Sequence, residues 1–453
     1  DVFVCPECAG EIVFWDSVID SELCIVRDEF DCPCCRAKLT KRIMDRSWTT
    51  KYDLAARDSI LFGKQVPVLV NYTANRKRTS KVPDRYDTEL ISKTESIAPT
   101  YWFPTSTMMH VEPGKPWGDE WRPGRAFTHI HHLLFQRSNL ALSCFIAKCS
   151  RLETRHRLLA QLTLTAVLQN TSRMYRWREN GKGGTISGTF YLSSTPQENN
   201  VFDQLSSKIS YFRKALCAYD KHASVVGNQS LTSQVLNECS VDYIFLDPPF
   251  GANLAYSELN FLWESWNKVW TDNTFEAIEN KTQGKGSDEY RSLMAACFKE
   301  AYRVLKPGRW MTVEFSNTKA SVWNSIQTAL TDAGFIVANV SALDKKQGSF
   351  KAVTTPTAVK QDLVISAYKP NGGFEERFQK AAQTEEGVWD FVRTHLKYLP
   401  VTKRQGALML FVPDRDPRIL FDQMIAFYVR KGYPVPISSQ EFQIGLSQRF
   451  IER

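Results

Sequence analysis

The 453-residue sequence predicts an α/β fold whose sheet is only partly present, preceded by a small cysteine-rich module and followed by a helical region. Three observations predict it. From about residue 224, strand-like apolar runs alternate with amphipathic helical ones. Two Cys-x-x-Cys pairs, Cys5/Cys8 and Cys32/Cys35, fall within the opening stretch. The tail from 371 to 453 is mostly helical in its apolar spacing and reads as separate.

Composition limits the function classes. A hydrophobic content of 43% with 12% aromatics is that of a globular protein with filled cores. No apolar run reaches the roughly 18 to 20 residues that span a bilayer, so no membrane role is expected. A net charge of +8 is compatible with a polyanionic partner. Eleven cysteines in so long a chain do not make a secreted disulfide scaffold. A reducing, cytoplasmic setting is expected, in association with the nucleoid if the partner is DNA.

Four regions follow in order. Residues 1–45 form the cysteine module. Cys5, Cys8, Cys32 and Cys35 place two tight knuckles where four thiolates can close a tetrahedral zinc site of the structural kind. Cys34 is a possible replacement ligand, and Cys24 reads as a buried apolar residue. Residues 46–220 are a candidate DNA-recognition part. Within it, 65–125 is rich in Pro, Gly, Trp and charge and reads as irregular. Helical spacing begins at Phe127 and continues to about Leu168, and 200–220 is helical again. Gly181–Gly188 is a flexible loop before a short strand at Phe190–Leu192.

Two cationic stretches stand out. Arg76, Lys77, Arg78, Lys81 and Arg85 form the first; Arg173, Tyr175, Arg176, Trp177 and Arg178 interleave charge with aromatics in the second. Both suit phosphate contact and base stacking, and both could equally be solvated loops. His110, His129, His131 and His132 raise the question of a second metal, but no third ligand is evident from the sequence, so core or surface roles fit better.

Residues 221–370 carry the chemistry. The run Val241–Leu246 is a buried strand that ends in Asp247-Pro248-Pro249-Phe250. The prolines donate no backbone hydrogen bond and make a stiff turn. A carboxylate and backbone carbonyls then emerge at the strand's carboxyl end, where open α/β sheets bind ligands. Asp247 can accept one N–H of an exocyclic amine and the Pro248 carbonyl the other, while Phe250 offers a stacking face. A stiff turn with a capping Asp is the plain alternative. After it come a helix at 287–305, the breaker Lys306-Pro307-Gly308, a strand at Trp310–Phe315, a helix at 320–333, and strands at Phe335–Leu343 and Asp362–Tyr368. The sheet is expected to be parallel and closed by an antiparallel edge.

With those residues in view, the sequence resembles the amino-group DNA methyltransferases, which share a (D/N/S)-P-P-(Y/F/W) motif. Beyond Asp247–Phe250, the resemblance rests on Asp242-Tyr243-Ile244-Phe245, Gly251-Ala252-Asn253-Leu254, Tyr256-Ser257-Glu258-Leu259-Asn260 with Trp263-Glu264, and Arg303–Gly308. It covers roughly 224–370. It implies a class I, Rossmann-like fold and an S-adenosyl-L-methionine (AdoMet) cofactor. It also implies duplex DNA as partner and extrusion of the target base. Asp at the first motif position leans toward adenine N6 over cytosine N4. A restriction–modification or phage-defence role follows by the same resemblance. Tyr256 and Asn260, four apart, would share a helix face near the pocket.

The resemblance also implies a glycine-rich AdoMet loop after an apolar strand, and none is found; Pro248 and Phe250 are the only residues offered for cofactor contact. The four strands make only half of the family's sheet and would leave an unpaired buried edge. An upstream segment or partner subunit supplying the AdoMet site is therefore expected. The rival readings are a non-catalytic DNA-binding subunit with a degenerate methylase fold, and a methylase acting on RNA or a protein amide.

Overall fold

The computed structural model describes residues 1–20, 25–108, 127–178, 183–186, 188–217, 224–252, 254–315, 320–343, 362–370, 373–399, 401, 403–405, 408–410, 412–430 and 433–450. These fall into two compact units. The first holds residues Asp1–Ser224 and Tyr256–Thr271; the second holds Val225–Ala255 and Asp272–Arg453.

The first unit opens with two short hairpins, Val2–Val4 with Glu11–Val13 and Glu29–Asp31 with Lys38–Thr40. Phe3, Ile12, Phe14, Phe30 and Leu39 form a small core between them. A longer hairpin, Trp48–Asp53 with Asp58–Gly63, follows. The stretch expected to be irregular then contains a further hairpin, Val70–Ala74 with Lys77–Lys81, and a helix, Arg85–Glu95. Its polar strands, exposed on both faces, lack the alternation that marks a half-buried strand. The helix begins in a capping box. Asp84 accepts the Asp87 amide at 3.0 Å, and Asp87 accepts the Asp84 amide at 3.0 Å.

Helical structure beyond Phe127 consists of a 3-10 turn Ile130–Leu133 and helices Gln136–Cys149, Thr154–Leu168 and Val201–Cys217. Leu133, Leu142, Leu164, Val167 and Leu205 share one core with Leu262 and Trp266 from helix Phe261–Asn267. The extended segment 190–192 forms no strand.

The second unit is built on a four-stranded sheet: β1 (Val241–Leu246), β2 (Leu305–Phe315), β3 (Ile336–Leu343) and β4 (Asp362–Tyr368), in the order β1-β2-β4-β3. β1 and β2 are parallel, and β4 is antiparallel to both β2 and β3. The antiparallel strand therefore lies inside the sheet, not at its edge. There its backbone pairs with a neighbour on each side, while Ile365 and Ala367 face one apolar layer and Tyr368 the other. Lys306-Pro307-Gly308 is absorbed as a register shift within β2, with Val241 opposite Leu305 but Tyr243 opposite Trp310.

Each strand alternates its side chains between two layers. On one face Met311, Val313, Phe315, Ile365 and Ala367 pack against helices Ser287–Val304 and Ala320–Asp332. On the other, Trp310, Ile336, Ala338 and Tyr368 meet the helices Phe374–Ala381, Glu385–Tyr398, Pro417–Arg430 and Ser439–Arg449. The tail thus shares a core with the sheet.

β1 departs from this pattern. Ile244 and Leu246 turn to the first layer, but Tyr243 and Phe245 are 54% and 56% exposed. Among the described residues no strand pairs with its outer edge.

Candidate functional site

The motif Asp247–Phe250 leaves β1 where Leu246 stands opposite Val313 of the parallel β2. Both strands end on the same side of the sheet, the side where ligands collect in such folds. Asp247 is exposed, while Pro248, Pro249 and Phe250 are half-buried. Three contacts fix the turn. The Tyr290 hydroxyl, on helix Ser287–Val304, donates to the Pro249 carbonyl at 2.8 Å. The Phe250 ring meets Phe315 edge-on, with centroids 5.3 Å apart. Gly251 has φ of 72°, and its carbonyl accepts the Glu279 amide at 3.2 Å. Tyr290 is 1% exposed, and burial pushes its hydroxyl well above the usual phenol range, so it stays a donor. Tyr290 was missed in the sequence because its role depends on a residue 41 positions away. Tyr256 and Asn260 fold with the first unit; Asn260 follows the short helix Tyr256–Leu259 and precedes Phe261–Asn267. Asn253 lies outside the described residues.

The four cysteines come together. Cys5 Sγ is 3.8 Å from Cys35 Sγ, and Cys8 Sγ is 3.8 Å from Cys32 Sγ. Tetrahedral ligation with Zn–S near 2.3 Å requires sulfurs about 3.8 Å apart, so the set matches a four-thiolate ion site. The two knuckles repeat one backbone design. Ala9 donates to Cys5 and Arg36 to Cys32, at 2.9 and 3.0 Å, with Ala9 and Arg36 in left-handed conformation. The amides of Cys35 and Cys34 hold the Cys32 thiol down to about 6, while burial and the neighbouring sulfurs push Cys8 and Cys35 up. A Cβ on Gly10 would lie 2.9 Å from Cys34 Sγ and 3.2 Å from Cys8 Sγ, so a larger residue there would crowd the sulfurs. Cys34 is exposed outside the four-sulfur set, and Cys24 lies outside the described residues.

The two cationic stretches have different settings. Arg76, Lys77 and Arg78 are exposed around the tip of the Val70–Lys81 hairpin. Lys81 instead bridges Asp84 and Asp87 at 2.8 and 2.7 Å, and Arg85 pairs with Glu89. Arg176, Trp177 and Arg178 are half-buried among protein groups. Trp177 lies edge-on to Trp15 at 5.3 Å, Arg176 lies over Tyr191, and Arg178 donates to the Thr185 carbonyl at 2.9 Å. Arg173 stacks on Phe135 at 3.9 Å. This second stretch is built into the unit's framework. The neighbouring glycines serve the same packing: a Cβ on Gly183 would meet the Tyr175 ring at 2.5 Å.

The histidines acquire the carboxylate that the sequence did not reveal. Nε2 of His131 and Nε2 of His132 each lie 2.6 Å from Asp53 Oδ2, in a buried cluster that meets the spacing of a metal triad. Seventy-eight and 79 positions separate the partners, which hides the cluster from any local pattern. His132 Nδ1 accepts the amides of Thr128 and His129, each at 3.3 Å, which places its proton on Nε2. Desolvation holds His132 neutral, down to about 4. Desolvation would raise Asp53, but the two imidazoles overcome it and hold the carboxyl far below its usual range. Asn139 donates to the His131 carbonyl at 3.0 Å, and Arg137 pairs with Glu198. His110 lies outside the described residues.

Residues 241–406 match the model of the N6/N4-type DNA methylase family. No curated protein matches the sequence. Among solved structures, a candidate DNA modification methylase of Thermus thermophilus is 16% identical over 35% of this chain and 59% of its own, with a TM-score of 0.20. Its complex with AdoMet is 17% identical over 35% and 62%, with a TM-score of 0.19. An AdoMet-dependent methyltransferase of Methanosarcina mazei is 12% identical over 36% and 79%, with a TM-score of 0.19. The chain spans 50% to 59% of the first two structures it matches.

Proposed function

We propose that this chain, whose residues 241–406 match the N6/N4-type DNA methylases, supplies the base-holding part of an AdoMet-dependent methyltransferase. Its target is an exocyclic amine of duplex DNA, adenine N6 by preference. The observation that carries the reading is the placement of Asp247–Phe250 at the carboxyl end of β1, braced from behind by Tyr290. With the Pro249 carbonyl committed to Tyr290, the Pro248 carbonyl and the Asp247 carboxylate are the acceptors for the two amine hydrogens. Holding both hydrogens out of the ring plane localises the nitrogen lone pair. Phe250, anchored on Phe315, presents ring surface to the extruded base.

AdoMet, when bound, supplies the electrophilic methyl group. The Gly183–Gly184 turn does not furnish a cradle for it, being filled by Tyr175 and Arg178 within the first unit. Among the described residues none pairs with the outer edge of β1, where Tyr243 and Phe245 are exposed, and a further strand there would complete the sheet and bring the donor site.

Cys5, Cys8, Cys32 and Cys35 would hold a structural zinc ion. DNA contact falls to Arg76, Lys77 and Arg78 on the exposed hairpin. A restriction–modification or phage-defence setting fits a DNA methylase of this type. Among the described residues no helix is long and apolar enough to cross a membrane.

The test is transfer of label from tritiated AdoMet to duplex DNA by the chain together with its AdoMet-binding half, followed by digestion to nucleosides. Label is expected on N6 of adenine, with transfer by Asp247→Ala lower by about a hundredfold or more. Equal labelling by both proteins sinks the mechanism, and label on cytosine N4 overturns the choice of base.

A further inference from the structure

The hairpin Val70–Lys81 has a two-faced arrangement that the simple count of its cations does not show. Residues directly opposite in an antiparallel pair share a face. Asn71 stands opposite Ser80 and Thr73 opposite Arg78, so one face presents an amide, two hydroxyls and a guanidinium. The other presents Tyr72 with Thr79 and Ala74 with Lys77. Every residue from Asn71 to Ser80 is exposed, so neither face is used to build the core. At about 3.4 Å per residue the arm is roughly 17 Å long, and a two-stranded ribbon of that kind fits the major groove of B-DNA.

Two further features set the arm up for this role. Its base is anchored, since Lys81 is held between Asp84 and Asp87 at the start of helix Arg85–Glu95. Its tip is a two-residue turn with Asn75 at φ 52° and Arg76 at φ 63°. Glycine is the comfortable residue at the second of these positions, and arginine adopts it at a cost. A cation is thus held at the extreme end of the arm, where the phosphate backbone would meet it.

We infer that this ribbon is the sequence-reading element of the protein, inserted in the major groove with the Asn71/Thr73/Arg78/Ser80 face toward base edges and Arg76 and Lys77 on phosphates. Arg78 has the fork that pairs with guanine O6 and N7, and Asn71 the amide that pairs with adenine N6 and N7. The inference takes duplex DNA as substrate from the reading above.

The experiment is selection of bound duplexes from a randomised DNA pool by the full chain, with Arg78→Ala, Asn71→Ala and Arg76→Ala beside it. Wild type is expected to enrich a defined sequence. Arg78→Ala and Asn71→Ala should each lower discrimination at one position by about tenfold while binding to unrelated duplex persists. Arg76→Ala should weaken binding to all duplexes alike and reduce the salt slope by about one phosphate contact. Unchanged sequence preference in Arg78→Ala and Asn71→Ala overturns the inference, as does equal competition by structured RNA or no enrichment by wild type. Failure of methyl transfer with ribbon-dependent selection intact counts against the methylase reading only.

Discussion

Asp53 and its two histidines illustrate how proximity and chemistry can disagree at the scale of single residues. Three ligand-type atoms converge, yet His132 uses its ring lone pair to accept two backbone amides. A metal at Nε2 would need that proton moved onto Nδ1, against both amide donors. The cluster therefore works as a hydrogen-bonded clamp in which one carboxylate oxygen ties the Trp48–Asp53 hairpin strand to the turn Ile130–Leu133. Asp53→Asn should keep the shape while leaving either the two imidazoles or the Ala55 and Ala56 amides, which donate to the other carboxylate oxygen, facing an NH2 group in place of an acceptor. A stability loss of about 2 kcal/mol is expected in urea unfolding of the first unit. An unchanged urea midpoint would show that the clamp carries no stability, and stabilisation by zinc in a variant lacking the four cysteines would restore the metal reading. His395 in the second unit is a different case. It is fully buried beside the Tyr368 hydroxyl at 3.1 Å, and desolvation holds it down to about 4. The unfolded chain takes up that proton near 6.5, so the folded state loses stability as pH falls from about 6.5 to about 4. Between pH 7 and pH 5 the loss should be about 2 kcal/mol, read from the urea midpoint, and His395→Gln should flatten that slope. An equally steep slope in the variant assigns the pH dependence elsewhere.

At the scale of elements, the cysteine knuckles and the basic ribbon differ in how much of them the sequence displays. The knuckles are local: two Cys-x-x-Cys spacings and the turn residues that follow them determine where the sulfurs point. Their core is small, so the ion site would supply much of the stability of residues 1–46. Chelation at neutral pH should therefore unfold that module, seen as protease cleavage within it, and Gly10→Ala should release metal at lower chelator concentration. Resistance of the module to cleavage after the metal is removed would show that its core suffices. The ribbon hid behind its composition. Strand patterns are legible when one face is buried, and neither face of Asn71–Ser80 is. The half-buried Arg176–Arg178 stretch is ambiguous for a different reason, since charge interleaved with aromatics looks the same whether it faces solvent or braces Trp15 and Tyr191.

At the scale of the whole molecule, the strand–helix alternation after residue 224 was legible because parallel-sheet strands are continuous apolar runs separated by amphipathic helices. The sequence by itself determined the Asp-Pro-Pro-Phe turn at a strand's carboxyl end, the four metal-spaced cysteines, and the existence of the four strands, all of which rest on residues close in the chain. Tertiary structure alone decided three things. It put the antiparallel strand inside the sheet, where its backbone groups find partners on both sides. It brought Tyr290 beneath Pro249 and Asp53 between two histidines, contacts that span tens of residues. And it showed that Tyr243 and Phe245 on β1 remain exposed. Periodicity reports that a side chain prefers burial, but only the packed layers show whether anything covers it.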